Sequence, residues 1–471
     1  MKSSILGQAV TEWQNLTAKG YDPYQQIGGE SPFRLDALGA LYGWIRQVQS
    51  SDTPAASSLS SKATTFCLLE LTQHAEEHPE FKPIAIAAMM MAMTRKDTIN
   101  ERDSDLFDDA FNRVVQRIIY DGTTLEDCLE LRFFITSVLD MRLATRHPTC
   151  IVKIMMDAFA LFHLGQIRGW RGPVLSRPNI KARYLKKLDL VQGKPRRFET
   201  WRDLIGHLFS KISNHRYDNT LLPDQLVDQK DSQTSANPSH QENSQNTSKK
   251  LTILSQALAA WKELEDIDHD PPKLVGNEVQ CQFAALHDIH DWIMKAESSS
   301  RFVSPVFSAD TEFTDDALSS YLYTFGEKAM LDTRFTPITS ATLMMVLVQD
   351  QPMDDWAVEN LDLSSLRAMR AILAHGDLED ILELYFFVSL ILESYSGDTL
   401  LIKALLVVLE TAIIQHLICS RNAIGPYSSP SLFREECINK MKAACQYSNN
   451  DEEWLDLVDV SFSNSDCKKH L

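Results

Sequence analysis

The chain has 471 residues, 44% of them apolar and 23% charged, with a net charge of −18 at pH 7. This is the composition of an ordinary soluble protein, and its acidity would repel a polyanion. No apolar run approaches the 18 to 20 residues of a membrane span; the best, Leu400 to Ile414, is interrupted by Lys403 and Glu410. Met1 to Val10 holds one lysine and a short apolar patch before Glu12, which is not a signal-peptide pattern. The eight cysteines form no CxxC pair. Their one cluster (Cys419, Cys437, Cys445, Cys467) fits no zinc spacing, so the expected compartment is reducing and cytoplasmic.

Apolar residues recur at helical spacing, as in Leu125, Leu129 and Phe133, and the chain is rich in the helix formers Leu, Ala, Met and Glu. The pattern predicts helices near 2–18, 33–49, 60–77, 83–95, 104–120, 124–144, 148–166, 178–190 and 198–213, hence an all-α fold. From about 216 to 250 the chain turns to Ser, Gln, Asn and Asp with almost no large apolar residue, which predicts a disordered linker. As a flexible coil it would span on the order of 30 Å.

After the linker the sequence begins again. Residues 125–134 (LEDCLELRFF) and 378–387 (LEDILELYFF) agree at eight of ten positions. The register extends outward. Trp13, Trp44 and Trp201 answer Trp261, Trp292 and Trp454. Phe81 and Pro83 answer Phe335 and Pro337; His163, Arg168 and Gly172-Pro173 answer His416, Arg421 and Gly425-Pro426. The reading is a tandem duplication of a multi-helix domain of roughly 210 residues, large enough to bury its own core. Copy one covers 1–215, the linker 216–250 and copy two 251–471, with a pseudo-two-fold arrangement expected.

No phosphate loop, GxGxxG, GxSxG or HExxH motif is present. The shared acids Glu126, Asp127 and Glu130, echoed by Glu379, Asp380 and Glu383, could ligate a metal with His163 or His416, since carboxylate and histidine ligands build metal centres in helical bundles. The Glu-x-x-His element of such centres is missing. A capping reading explains more: Gly122 and Gly376 end one helix in the left-handed conformation. Thr124 with Asp127, and Asp377 with Asp380, then cap the next helix. His287-Asp288-Ile289-His290-Asp291 reads as a solvated helix face, the six matched tryptophans as core, and Met89-Met90-Met91 as a buried helix. No cofactor is expected.

Charge divides the copies. Residues 1–215 carry +3, the linker −1 and residues 251–471 carry −20. Between Arg168 and Arg202 there are 11 basic residues against Asp189 and Glu199. The expectation is a non-catalytic interaction module (scaffold, adaptor or inhibitor) whose partner contacts are Arg168, Arg171, Lys181, Arg183, Lys186, Lys187, Arg196 and Arg197. The basic segment would meet the acidic copy two or an acidic protein partner. The alternatives are a metal-dependent enzyme using Glu126, Glu130 and His163, and nucleic-acid binding through residues 168–202.

Overall fold

The computed structural model describes residues 2–50, 57, 59–95, 101–121, 123–140, 146–191, 198–210, 250–267, 280–305, 315–349, 355–394, 400–422, 430–445 and 450–463. The fold is helical. In the first half the helices are α1 (Ile5–Ala18), α2 (Pro32–Gln49), α3 (Ser61–Glu77), α4 (Lys82–Met93), α5 (Glu101–Tyr120), α6 (Leu125–Asp140), α7 (Arg146–Arg168), the short α8 (Gly172–Leu175), α9 (Arg177–Asp189) and α10 (Phe198–Leu208). In the second half they are α11 (Ile253–Asp266), α12 (Gln280–Ser298), α13 (Asp315–Leu331), α14 (Phe335–Leu347), α15 (Asp355–His375), α16 (Leu378–Ser394), α17 (Leu400–Ser420), α18 (Pro430–Ala444) and α19 (Asp451–Ser463). The sole strand pairing among the described residues is a two-residue parallel bridge, in which β1 (Lys2–Ser3) lies beside β2 (Arg421–Asn422). The 216–250 linker expectation lies outside the described residues except for Lys250.

Each half is organised around one helix with no polar face. Every residue of α4 from Ile84 to Met93 is buried, including Met89, Met90 and Met91, and α1, α2, α3, α5 and α6 pack around it. A helix that is apolar all round belongs at the centre of a bundle. In the second half α14 takes that place, ringed by α11, α12, α13, α15 and α16. Three of its buried hydroxyls cost little because Thr339, Ser340 and Thr342 each donate to the carbonyl four residues back, at 2.8, 3.0 and 2.9 Å. Trp13, Trp44, Trp201, Trp261, Trp292 and Trp454 are all buried.

The structure corrects several expectations. α1 begins at Ile5 rather than residue 2, because Ser4 caps it through the Gly7 amide and Lys2–Ser3 is drawn off into the bridge with β2. Gly376 does not adopt a left-handed conformation. Glycine is needed there because a Cβ would sit 2.6 Å from the Ile372 carbonyl oxygen. Gly122 lies outside the described residues. Two helices do have the length and composition of a membrane span: Pro148–Arg168 with mean hydropathy 1.5 and Leu400–Ser420 with 1.9. Their apolar stretches are 67% and 50% buried against the rest of the chain, as core helices are. Cys67, Cys128, Cys150, Cys437 and Cys445 are free thiols, and Cys419 is disulfide-bonded.

Two alanine substitutions separate crowding from conformation. Gly376→Ala should destabilise by about 1–3 kcal/mol through overpacking. Gly39→Ala, in the middle of α2 with nothing within 4 Å of its Cβ position, should be neutral or stabilise by up to about 1 kcal/mol. Urea unfolding midpoints of the two variants test the pair.

Candidate functional site

The helices α6 and α16 both start with Leu-Glu-Asp, and each start is a reciprocal cap. In α6 the Thr124 amide donates to Asp127 Oδ2 at 3.1 Å while the Asp127 amide donates to Thr124 Oγ1 at 3.3 Å. In α16 the Asp377 amide donates to Asp380 Oδ2 at 3.2 Å and the Asp380 amide to Asp377 Oδ1 at 2.8 Å. The capping expectation therefore describes the local geometry. It leaves unused the outward oxygens of these acids and the glutamate one turn further along.

These acids receive an arginine from the opposite half, Asp377 Oδ1 serving both its cap and the arginine. Arg168, the last residue of α7, places Nη2 at 3.0 Å from Asp377 and 2.7 Å from Asp380, and Nη1 at 3.0 Å from Glu383 and from the Leu251 carbonyl. Arg421, directly after α17, places Nη1 at 2.5 Å from Glu130 and Nη2 at 2.8 Å from Asp127 and 3.3 Å from Thr124. The side chains of Arg168 and Arg421 are 0% and 3% exposed, so no water offsets a missing acid.

The surroundings of the two arginines also correspond. Gln8 donates to Asp127 and to the Ser3 carbonyl, and Gln256 donates to Asp380 and to the Leu251 carbonyl. The Ile5 amide donates to Glu130 at 2.9 Å and the Ile253 amide to Glu383 at 3.2 Å. Each acidic cluster thus ties together the start of its own half, its own capped helix and the end of an apolar helix from the other half.

α6 and α16 supply a third contact between the halves. Arg132 lies 4.9 Å from the centre of the Tyr385 ring and donates through Nη2 to the Tyr385 hydroxyl. Its Nε reaches Asp157 at 2.5 Å, and Lys153 stands 3.5 Å from the same carboxylate. Burial opposes the charge on Asp157, yet Lys153, Arg132 and Lys187 hold its pKa down to about 2. Burial pushes the Tyr385 hydroxyl up to about 12.

The residues expected to bind a partner fall into two groups. Arg168 is inside the contact just described, Lys187 pairs with Glu393 of α16 at 2.6 Å, and Arg171 reaches Glu297 of α12 at 3.5 Å. Lys186 is exposed, Lys181 and Arg183 are half-buried, and the Arg171 side chain remains 74% exposed. Arg196 and Arg197 lie outside the described residues. Trp170, Arg171, Gly172 and Ser176 also face Glu297–Ser300 across a cleft of about 300 Å³.

The alternative ligand set does not converge. Glu130 is occupied by Arg421 and the Ile5 amide. His163 is held by the Thr123 backbone, with its ring 4.5 Å from Phe159 and its pKa lowered by burial. Among the described residues no three His, Cys, Asp or Glu side chains are grouped to hold a metal ion. Sequence reasoning missed the arginine exchange, although Arg168 and Arg421 are matched positions at the ends of apolar helices. It also missed that Arg132 and Tyr385, one of the two mismatches in the ten-residue block, meet each other. The chain matches no protein-family model, no curated protein and no solved structure.

Burial raises Glu130 and Glu383 from 4.5 to about 7 against the pull of their arginines. A carboxyl group with a raised folded pKa binds its proton more tightly when folded. Its contribution to stability is therefore full below the unfolded value and is lost as pH rises from about 4.5 through about 7. A full proton corresponds to about 1.4 kcal/mol per pH unit. Glu130→Gln/Glu383→Gln should flatten the fall in urea midpoint between pH 5 and pH 8 relative to the native chain, whereas an unchanged slope would show that neither glutamate titrates there.

Proposed function

We propose that the chain is a tandem duplication of one helical fold of roughly 210 residues, its copies related by a pseudo-two-fold axis near Arg132 and Tyr385. We further propose that it is a non-catalytic interaction protein: a scaffold, adaptor or inhibitor presenting a surface composed from both copies. The observation that carries this reading is the reciprocal arginine exchange. Carboxylates that would otherwise be candidates for chemistry are committed to joining the halves, and the joined halves form one body with two unlike electrostatic faces.

The basic side chains that this union leaves in contact with solvent are the natural place for an acidic partner. Arg171, Lys181 and Lys186 are such groups, and they lie beside the cleft at the junction or on α9. Surface charges of this kind accelerate and orient association more than they add affinity. The buried free thiols support a reducing, cytoplasmic setting, and the Cys419 disulfide is the feature that pulls the other way.

The test is affinity capture with the intact protein and with Arg171→Glu/Lys181→Glu/Lys186→Glu, at low and high salt. A partner retained at low salt, released by high salt and reduced at least tenfold by the triple variant is the expected result. The variant should keep its melting temperature to within a few degrees, because the Arg171–Glu297 pair is solvent-exposed on its arginine side and such pairs contribute about 0–1 kcal/mol. A partner held equally by both proteins would reject this surface.

A further inference from the structure

The two ends of the contact between the halves are chemically alike. Each buried arginine meets an Asp and a Glu at matched places of the Leu-Glu-Asp-x-Leu-Glu-Leu sequence, together with the residue before it, Thr124 at one end and Asp377 at the other. Either arginine would thus find an Asp and a Glu in either cluster, and the sharper difference between the halves lies at the centre. Arg132 and Tyr385 are 253 residues apart, at the same position of the shared block, and they touch. Asp157, the carboxylate held by Arg132, stands at the position taken in the second half by Glu410, which also acts electrostatically on Arg132.

We infer that the Arg132–Tyr385 pair is a specificity element that makes the first half accept a second half and reject another first half. The occupant of this surface is therefore a second half, whether from the same chain or from a second copy of it. Two first halves would bring two Arg132 guanidiniums together at a site where the residue is only 4% exposed, and buried like charges are strongly unfavourable. Two second halves would put two tyrosines together beside two Glu410 carboxylates with no central arginine. One arginine against one tyrosine stacks the cation on the ring, closes a hydrogen bond and leaves the Arg132 guanidinium acting on both Asp157 and Glu410. Arg132 Nη1 has no acceptor among the described residues, and the guanidinium is held between the Phe133 and Tyr385 rings, at 4.7 and 4.9 Å, with Asp157 on Nε. This inference rests on the reading of the halves as copies of one fold.

The experiment uses full-length chains carrying Tyr385→Arg, Arg132→Tyr, or both. Tyr385→Arg places arginine opposite arginine and should lower the melting temperature by roughly 5 °C or more. Arg132→Tyr/Tyr385→Arg restores one of each, with the guanidinium now on α16 beside Glu410, and should recover at least half of that loss. Co-expression of the Tyr385→Arg chain with the Arg132→Tyr chain should yield a species of twice the monomer mass, since exchanging halves gives both contacts an arginine and a tyrosine. If the exchanged double variant is as unstable as Tyr385→Arg, the positions are not interchangeable, and both the equivalence of the halves and this inference fail. If Tyr385→Arg keeps the native melting temperature and the co-expressed chains stay apart, the halves can still be copies but this pair does not select between them.

Discussion

A guanidinium removed from water needs carboxylates placed to receive its N–H groups, and this requirement governs the architecture. Arg168 and Arg421 stand at the ends of apolar helices, and each is buried against carboxylates of the opposite half. Burial of either costs several kcal/mol unless the acceptors are already in position. The opposite half provides them because its own helix start has fixed its acids in a capping arrangement, Asp127 in α6 and both Asp377 and Asp380 in α16, with a glutamate one turn along. The caps therefore act at two levels, ending the helix and holding an ion site open for a neighbour. Junction geometry, the position of the chain start and the parallel bridge of Lys2–Ser3 with Arg421–Asn422 follow from that exchange.

Burial at these sites acts against the charges it encloses. Glu130 and Glu383 are pushed toward neutrality, while Asp127, less enclosed and gripped by Arg421 and Thr124, is held low. One arginine thus faces carboxylates with opposite titration behaviour, and the cluster keeps a net favourable charge across the neutral range. The Nε atoms of Arg168 and Arg421 have no acceptor. This shared defect follows from the shared geometry, in which both guanidiniums are spent on their terminal nitrogens.

Much of the helical layout was legible in the sequence. The 3.6-residue period located α2 to α4 within two residues, and the Met89-Met90-Met91 run marked α4 as buried. The acidic starts of α6 and α16 were legible as caps, because capping is a local event between residues three apart. Their second role was not, since it depends on residues 209 to 294 positions away. Gly376 misled because glycine after a helix usually signals a left-handed turn, and only the fold reveals a carbonyl in the way. The basic segment was visible as charge alone; packing divided it into buried, paired and exposed members. Arg132 and Tyr385 stood in the sequence only as one of the two mismatches between the ten-residue segments, and their contact depends on the fold.

If the two arginines join the halves into one cooperative unit, calorimetry of Arg168→Gln/Arg421→Gln will show it. The native chain should melt in a single transition. In the double variant the buried carboxylates lose their cations, and the two halves should melt in separate transitions, the lower one displaced downward by several degrees. A single transition retained at the native temperature would contradict it, and would place the energy of the junction in apolar packing instead.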